Sequence, residues 1–202
     1  MLAAAFAPPL VFTVLVGLAG VIALAELWAL RRAGVAAVLE LIVLLIGLAA
    51  LTYLRALGDA GAADPAARGL PVWLLIAVGA TWAADVGAYV VGSLAGRRKI
   101  APRISPGKTW EGTFGGFAAA AVAVLGIAAL FGLGRPGAAV FAVTIGPLAF
   151  AGDLLESWVK RRAAVKDSGT LFPGHGGMLD RIDSLLAVAP LVAAIGLVAT
   201  LG

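Results

Sequence analysis

Six apolar runs of about twenty residues each, separated by Gly- and Pro-marked breaks, limit what this 202-residue chain can fold into. The hydrocarbon core of a bilayer is about 30 Å thick and takes about 20 apolar residues per helix. The runs predict membrane helices over 8–30, 35–57, 70–94, 112–133, 138–161 and 182–201. Breaks fall at Gly34, at Gly58 with Pro65 and Pro71, at Pro102 with Pro106, at Gly134 with Pro136, and at Pro173. Pro147 and Pro190 lie inside the runs, where neighbouring helices can satisfy the freed carbonyls. A chain that is 62% hydrophobic and 13% charged is not a soluble domain. Without cysteine it has neither disulfides nor thiolate metal ligands. No basic segment precedes the first run, so it is expected to stay as a membrane helix. The expected fold is an all-α, polytopic integral membrane helix bundle with catalytic loops on the cytoplasmic side. It forms one domain over 1–202, with an N-terminal helix pair (1–69) and the catalytic helices and loops (70–202). Its Ala, Gly and Leu content suits helices that meet through small residues.

Positive charge alternates between the loops. Arg31 and Arg32, then Arg97, Arg98, Lys99, Arg103 and Lys108, then Lys160, Arg161, Arg162, Lys166 and Arg181 lie on one side of the expected topology. Arg55, Arg68 and Arg135 lie on the other. The positive-inside rule puts both termini outside and the two long polar loops in the cytoplasm.

The carboxylates sit where solvent is scarce. Asp85 falls inside the third run, where an ionised group costs roughly 2.5–3.5 kcal/mol on insertion scales. It should face a protein or water-filled interior, as a functional acid or as a polar contact between helices. Asp153 and Glu156 are one turn apart on one face of the fifth helix. Lys160, four residues beyond Glu156, is placed to pair with it. Asp167 follows in the loop, and Asp180 and Asp183 open the sixth helix, as site ligands or as ordinary N-terminal acids. An oxygen-rich set without Cys or clustered His suits a hard cation such as Mg²⁺. The only histidine, His175, lies between glycines, as a donor to phosphate or as a turn residue. Gly174, Gly176 and Gly177 would let backbone N–H groups approach an anion. In the other polar loop, Ser105, Lys108 and Thr109 offer two hydroxyls and an ammonium. SPGKT lacks the upstream glycine and the strand of a P-loop. Glu111 is placed as an acid at the start of the fourth helix.

In order along the chain, Ser157, Lys160, Arg161, Lys166, Asp167, Pro173 to Gly177, Asp180, Arg181 and Asp183 resemble the signature of the phosphatidate cytidylyltransferase (CDP-diacylglycerol synthase) family. DVGAYVVGSLAGRRK around Asp85 and SPGKTWEG from Ser105 to Gly112 are also family-like. The resemblance covers about residues 70–190, while the first two helices fit only as generic apolar segments. Gly107 stands where the family often has a second lysine. Bacterial members usually carry more N-terminal helices, so the chain is expected to begin late or to be a compact version.

The resemblance implies transfer of a cytidylyl group from CTP to phosphatidate with Mg²⁺, giving CDP-diacylglycerol and pyrophosphate for phospholipid biosynthesis. It puts the metal on Asp153 and Asp180, with a second metal ion compatible; Asp85, Glu156 and Asp183 remain further acids from the reading of the residues themselves. Lys166, Asp167 and Arg181 join the catalytic set. Ser105, Lys108, Thr109, Ser157, Lys160, Arg161, His175, Gly176 and Gly177 are the candidates for holding substrate. The expected partners are CTP, phosphatidate in the bilayer and membrane lipids. A homodimer is implied by the family alone, and no nucleic acid is expected. The expected location is a bacterial-type inner membrane, with the site facing the cytoplasm. The rival readings are a CTP-dependent enzyme acting on another lipid phosphate, an ion-coupled transporter, and a structural membrane subunit.

Overall fold

The computed structural model describes residues 5–58, 70–133, 135–174 and 176–201. Six long helices make the bundle: α1 (Pro9–Ala29), α2 (Val35–Leu57), α3 (Val72–Ala95), α4 (Trp110–Phe131), α5 (Arg135–Arg162) and α6 (Leu179–Leu201). All six are long and apolar enough to cross a membrane. The expected helices are all present, most with ends shifted by one to three residues. Pro8 leads into α1 with Pro9 in its first turn, a position where the missing N–H costs nothing. Pro147 and Pro190 lie inside α5 and α6 as expected. Gly34, at φ 64°, closes the short 3₁₀ turn Arg31–Ala33 between α1 and α2, a backbone conformation that favours glycine.

The loop expected between α3 and α4 is instead partly a hairpin. β1 (Lys99–Ala101) pairs antiparallel with β2 (Ser105–Thr109), with Lys99 opposite Thr109 and Ala101 opposite Ser105. Two prolines in eleven residues made this stretch read as an irregular loop. Here they sit at the turn residue Pro102 and at Pro106 in the short second strand.

Small residues let α3 and α4 approach closely. A Cβ added to Gly112 would lie 2.9 Å from the Cα of Gly92, and one on Gly116 would lie 2.7 Å from the Ala84 carbonyl oxygen. At Gly152 on α5, a Cβ would meet the Asp183 carbonyl oxygen at 2.8 Å. At Gly47 on α2, it would meet the Leu186 carbonyl oxygen at 2.7 Å. Backbones that touch through glycine are how apolar helices associate where no hydrophobic force separates them from lipid. The core holds Leu44, Leu54, Leu74, Ile76, Phe141, Ile145, Leu179, Ile182 and Leu186. Leu10, Leu18, Trp28, Tyr89, Leu94 and Val122 face outward, as a lipid-facing surface requires.

The basic segments gather at one end of the bundle. Arg161 Nε donates to the Ile104 carbonyl in the hairpin turn, at 3.1 Å. Its Nη1 donates to the Val165 carbonyl at 2.9 Å. The 3₁₀ turn after α1 contacts α5.

Candidate functional site

Helix α5 is the spine of the site, because its residues four apart share a face. Asp153 and Ser157 are linked by a 3.4 Å hydrogen bond, and Glu156 and Lys160 by a 2.7 Å ion pair. The two pairs reach in different directions and build two connected regions.

The first region is a groove between α3, α4 and α5, lined by Asp85, Lys108, Thr109, Phe117, Phe150 and Asp153. Lys108 enters from the end of β2. Its Nζ lies 2.7 Å from Asp153 Oδ2 and 4.9 Å from the centre of the Phe150 ring. The ion pair and the cation–π contact hold the ammonium over the groove. Asp85 and Asp153, distant in sequence, therefore do share a cavity. Thr109 is buried, and its hydroxyl accepts from Gly112 N at 3.2 Å as the N-cap of α4. The sequence offered it as a substrate contact; in the structure its oxygen caps the helix while the residue also lines the groove. Ser105 is half-buried at the start of β2. Glu111 lies in the first turn of α4, as expected, and accepts from Arg97 N and Arg98 N at 3.0 and 3.2 Å.

The second region lies between α5 and the start of α6. Lys160 Nζ is 2.7 Å from Glu156 Oε2 and 2.5 Å from Asp180 Oδ1. Helix α6 begins at Leu179, three residues earlier than expected, so Asp180 occupies its first turn. The other oxygen of Asp180, Oδ2, accepts from Gly177 N at 2.7 Å, from Ser168 N at 2.9 Å and from Ser168 Oγ at 2.8 Å. The glycines of the signature thus bring their backbone first to a carboxylate of the protein itself. Gly176 has φ 82°, and a Cβ there would lie 2.5 Å from Asp180 Oδ2. Asp183, one turn further on, accepts from its own chain at Ser184 N and lies in electrostatic range of Glu156. Lys166, Asp167 and Arg181 are exposed around the loop. Arg161, offered as a substrate contact, braces the hairpin turn against α5. His175 lies outside the described residues.

Two residues of this region were missed. Glu40 on α2 is fully buried, in electrostatic range of Asp183 and Lys160, and its Oε2 has no hydrogen-bond partner. Glu26 on α1 accepts from Met178 N and Leu179 N, both at 2.9 Å, and from Ser168 Oγ at 3.1 Å. The signal for both was available: each is a lone acid in an apolar helix, and such acids are functional or partnered by default. The first two helices are therefore not generic apolar segments. They carry two of the carboxylates at the site.

Glu156 and Asp180 hold the Lys160 ammonium between them, Glu40 and Asp183 lie in electrostatic range of Glu156 or Lys160, and Glu156 Oε1 is buried without a partner. This oxygen-only donor set fits a hard cation in chemistry. Among the described residues, no three acids converge as a ready-made metal group. Asp153 and Asp180 are each held by a lysine instead.

Residues 62–199 match the family model described as the cytidylyltransferase family. The chain belongs to the cytidylyltransferase family. It is 48% identical to the phosphatidate cytidylyltransferase of Brucella suis biovar 1 over 116 residues, covering 57% of this chain and 43% of that protein. It is 46% identical to the phosphatidate cytidylyltransferase of Pseudomonas aeruginosa over 149 residues, covering 65% of this chain and 48% of that protein. It is also 44% identical over 124 residues to the Escherichia coli K12 protein YnbB, described as uncharacterized, covering 61% of this chain and 42% of that protein. The chain spans less than half the length of these relatives. The matched stretch contains the hairpin, α3 to α5, all but the last two residues of α6, and every site residue described above except Glu26 and Glu40.

Proposed function

We propose that this cytidylyltransferase transfers the cytidylyl group of CTP to phosphatidate, releasing pyrophosphate and forming CDP-diacylglycerol. The observation that carries the reading is the pairing of the groove at Lys108 and Asp153 with the Lys160–Asp180 centre about two turns along α5. In this reading the lipid phosphate enters the groove from the side of the bundle and the nucleotide from its basic end. The names of the relatives point to the same substrates.

A phosphate oxygen of phosphatidate attacks the α-phosphorus of CTP. The bond from that phosphorus to the bridging α–β oxygen breaks, and pyrophosphate leaves with the electron pair. The nucleophile is already anionic, so no strong general base is required. Catalysis then rests on positioning and on neutralising charge. Lys108 is placed to receive one phosphate in the groove, exchanging its contact with Asp153 for one with substrate. Lys166 and Arg181, exposed on the loop and the first turn of α6, are placed to receive the nucleotide phosphates. Lys160 holds Asp180 in register. Asp153 and Asp180 would hold Mg²⁺, with Glu156 and Asp183 as further oxygen donors. Bound there, the ion would neutralise the triphosphate and the developing charge on the leaving group. The proposed location is a bacterial inner membrane, with the basic end of the bundle in the cytoplasm.

Purified protein in mixed micelles, given radiolabelled CTP, Mg²⁺ and phosphatidate, should yield labelled CDP-diacylglycerol and one pyrophosphate per turnover. Parallel reactions with other lipid phosphates test the substrate. Product from one of those but none from phosphatidate would refute the phosphatidate assignment, and no product from any would refute the reaction.

A further inference from the structure

Glu26 belongs to α1, at the opposite end of the chain from the signature, yet both its carboxylate oxygens are spent on the signature turn. Oε1 accepts from Met178 N, and Oε2 accepts from Leu179 N and faces Ser168 Oγ. These N–H groups belong to the entry of α6, where a helix has no internal acceptors for its first donors. Glu26 therefore caps α6 from another helix. The fit leaves no slack: a Cβ on Gly169 would lie 2.6 Å from Glu26 Oε1, and one on Gly177 would lie 2.5 Å from its Cδ. An acid in an apolar helix is costly, and two backbone hydrogen bonds, with a Ser168 hydroxyl shared with Asp180, offset that cost.

The same short segment orients Asp180. Ser168 Oγ lies 3.1 Å from Glu26 Oε2 and 2.8 Å from Asp180 Oδ2, so one hydroxyl spans both carboxylates. Gly177 N, which donates to Asp180, directly precedes Met178 N, which donates to Glu26. Moving the Glu26 carboxylate shifts the backbone that fixes Asp180 Oδ2.

We propose that Glu26 is a positioning residue for cytidylyl transfer, setting the orientation of Asp180 through Ser168 and the Gly177–Leu179 backbone. The inference rests on the activity proposed above, and the wild-type assay separates the two: an inactive wild type counts against the reaction, not against Glu26. Glu26→Gln keeps the size of the side chain but replaces one acceptor oxygen with an NH₂ group that cannot accept from a backbone N–H. Gly177→Ala presses on the same carboxylate from the loop side.

Catalytic geometry is sensitive on the 1 Å scale, so each variant should lose on the order of 10- to 100-fold in kcat per folded molecule. KM for CTP and for phosphatidate should move less than about threefold, because the Glu26 carboxylate contacts only the protein. The losses in the double variant should fall well short of multiplying, because both changes disturb one contact. Hydrogen exchange of the peptide spanning 166–180 should rise in Glu26→Gln, while the α3 and α4 peptides stay protected. An unchanged kcat in folded Glu26→Gln would overturn the proposal. So would a loss confined to KM, losses that multiply in the double variant, or exchange that rises equally throughout the bundle.

Discussion

Replacing Lys160 with Met should destabilise the bundle more than any surface change. The Lys160 ammonium lies 2.7 Å from Glu156 and 2.5 Å from Asp180. Their side chains are only 1% and 7% exposed. Methionine keeps an unbranched stem of similar length and removes the charge, leaving two buried carboxylates without their cation. Breaking a buried pair in this way costs about 3–5 kcal/mol. For a domain of about 150–250 residues, each kcal/mol lowers Tm by about 2–4 °C, so the expected fall is roughly 6–20 °C. The five tryptophans report unfolding in detergent by intrinsic fluorescence, and the chain has no cysteine for a thiol dye. The two carboxylates are not equally supported. Asp180 keeps three other donors from Ser168 and Gly177, whereas Glu156 Oε1 has none. Adding Glu156→Gln to Lys160→Met should therefore restore more than half of the lost Tm. A fall below about 2 °C in the single variant, or no recovery in the double, would refute the assignment of buried, mutually dependent charges.

Asp153→Asn and Asp180→Asn should each abolish turnover while the protein still inserts and elutes as a folded species. Full activity of either at saturating Mg²⁺ would refute its place as a metal ligand. Lys108→Ala should lower kcat/KM by about 10- to 100-fold, read with phosphatidate and CTP varied in turn; unchanged values for both would leave it as a partner of Asp153 only. Thr109→Ala removes the N-cap of α4 and should cost about 1 kcal/mol. Thr109→Ser should retain most of that stability, as judged by the same fluorescence melt.

The six helices were legible because apolar runs of that length have almost no other way to fold in a bilayer, and the breaks between them carry Gly or Pro. The pairing of Glu156 with Lys160 was legible from a spacing of four. The hairpin at Lys99–Thr109 was not, because strands of three and five residues show too little alternation to stand out. Asp85 stood out as an acid at membrane depth. Glu26 and Glu40 did not, because they lie outside the motif-bearing stretch and near Arg31 and Arg32, where an acid passes for ordinary helix-end charge. Their importance comes from tertiary packing: α2 meets α6 at Gly47, and α1 meets the signature loop at Glu26, without a sequence pattern shared between them. The glycine cluster was read as a place where backbone N–H groups approach an anion, and Gly177 N donates to a carboxylate of the chain itself. In the structure, the anions approached are Asp180 and Glu26.

The contact between Glu26 and Met178 spans 152 residues. At about 5–20 residues per second, synthesis takes roughly 8–30 s to cover that distance. Throughout that interval α1 carries an acid whose eventual donors have not yet been made. Until the signature turn is made, that carboxylate lacks the hydrogen bonds that offset its burial. α6 gains its cap from Glu26 only once the signature turn has been made. Assembly of this site is thus a late event in biogenesis, and a ribosome stalled before Ser168 leaves α1 inserted with Glu26 lacking its partners and Asp180 not yet made.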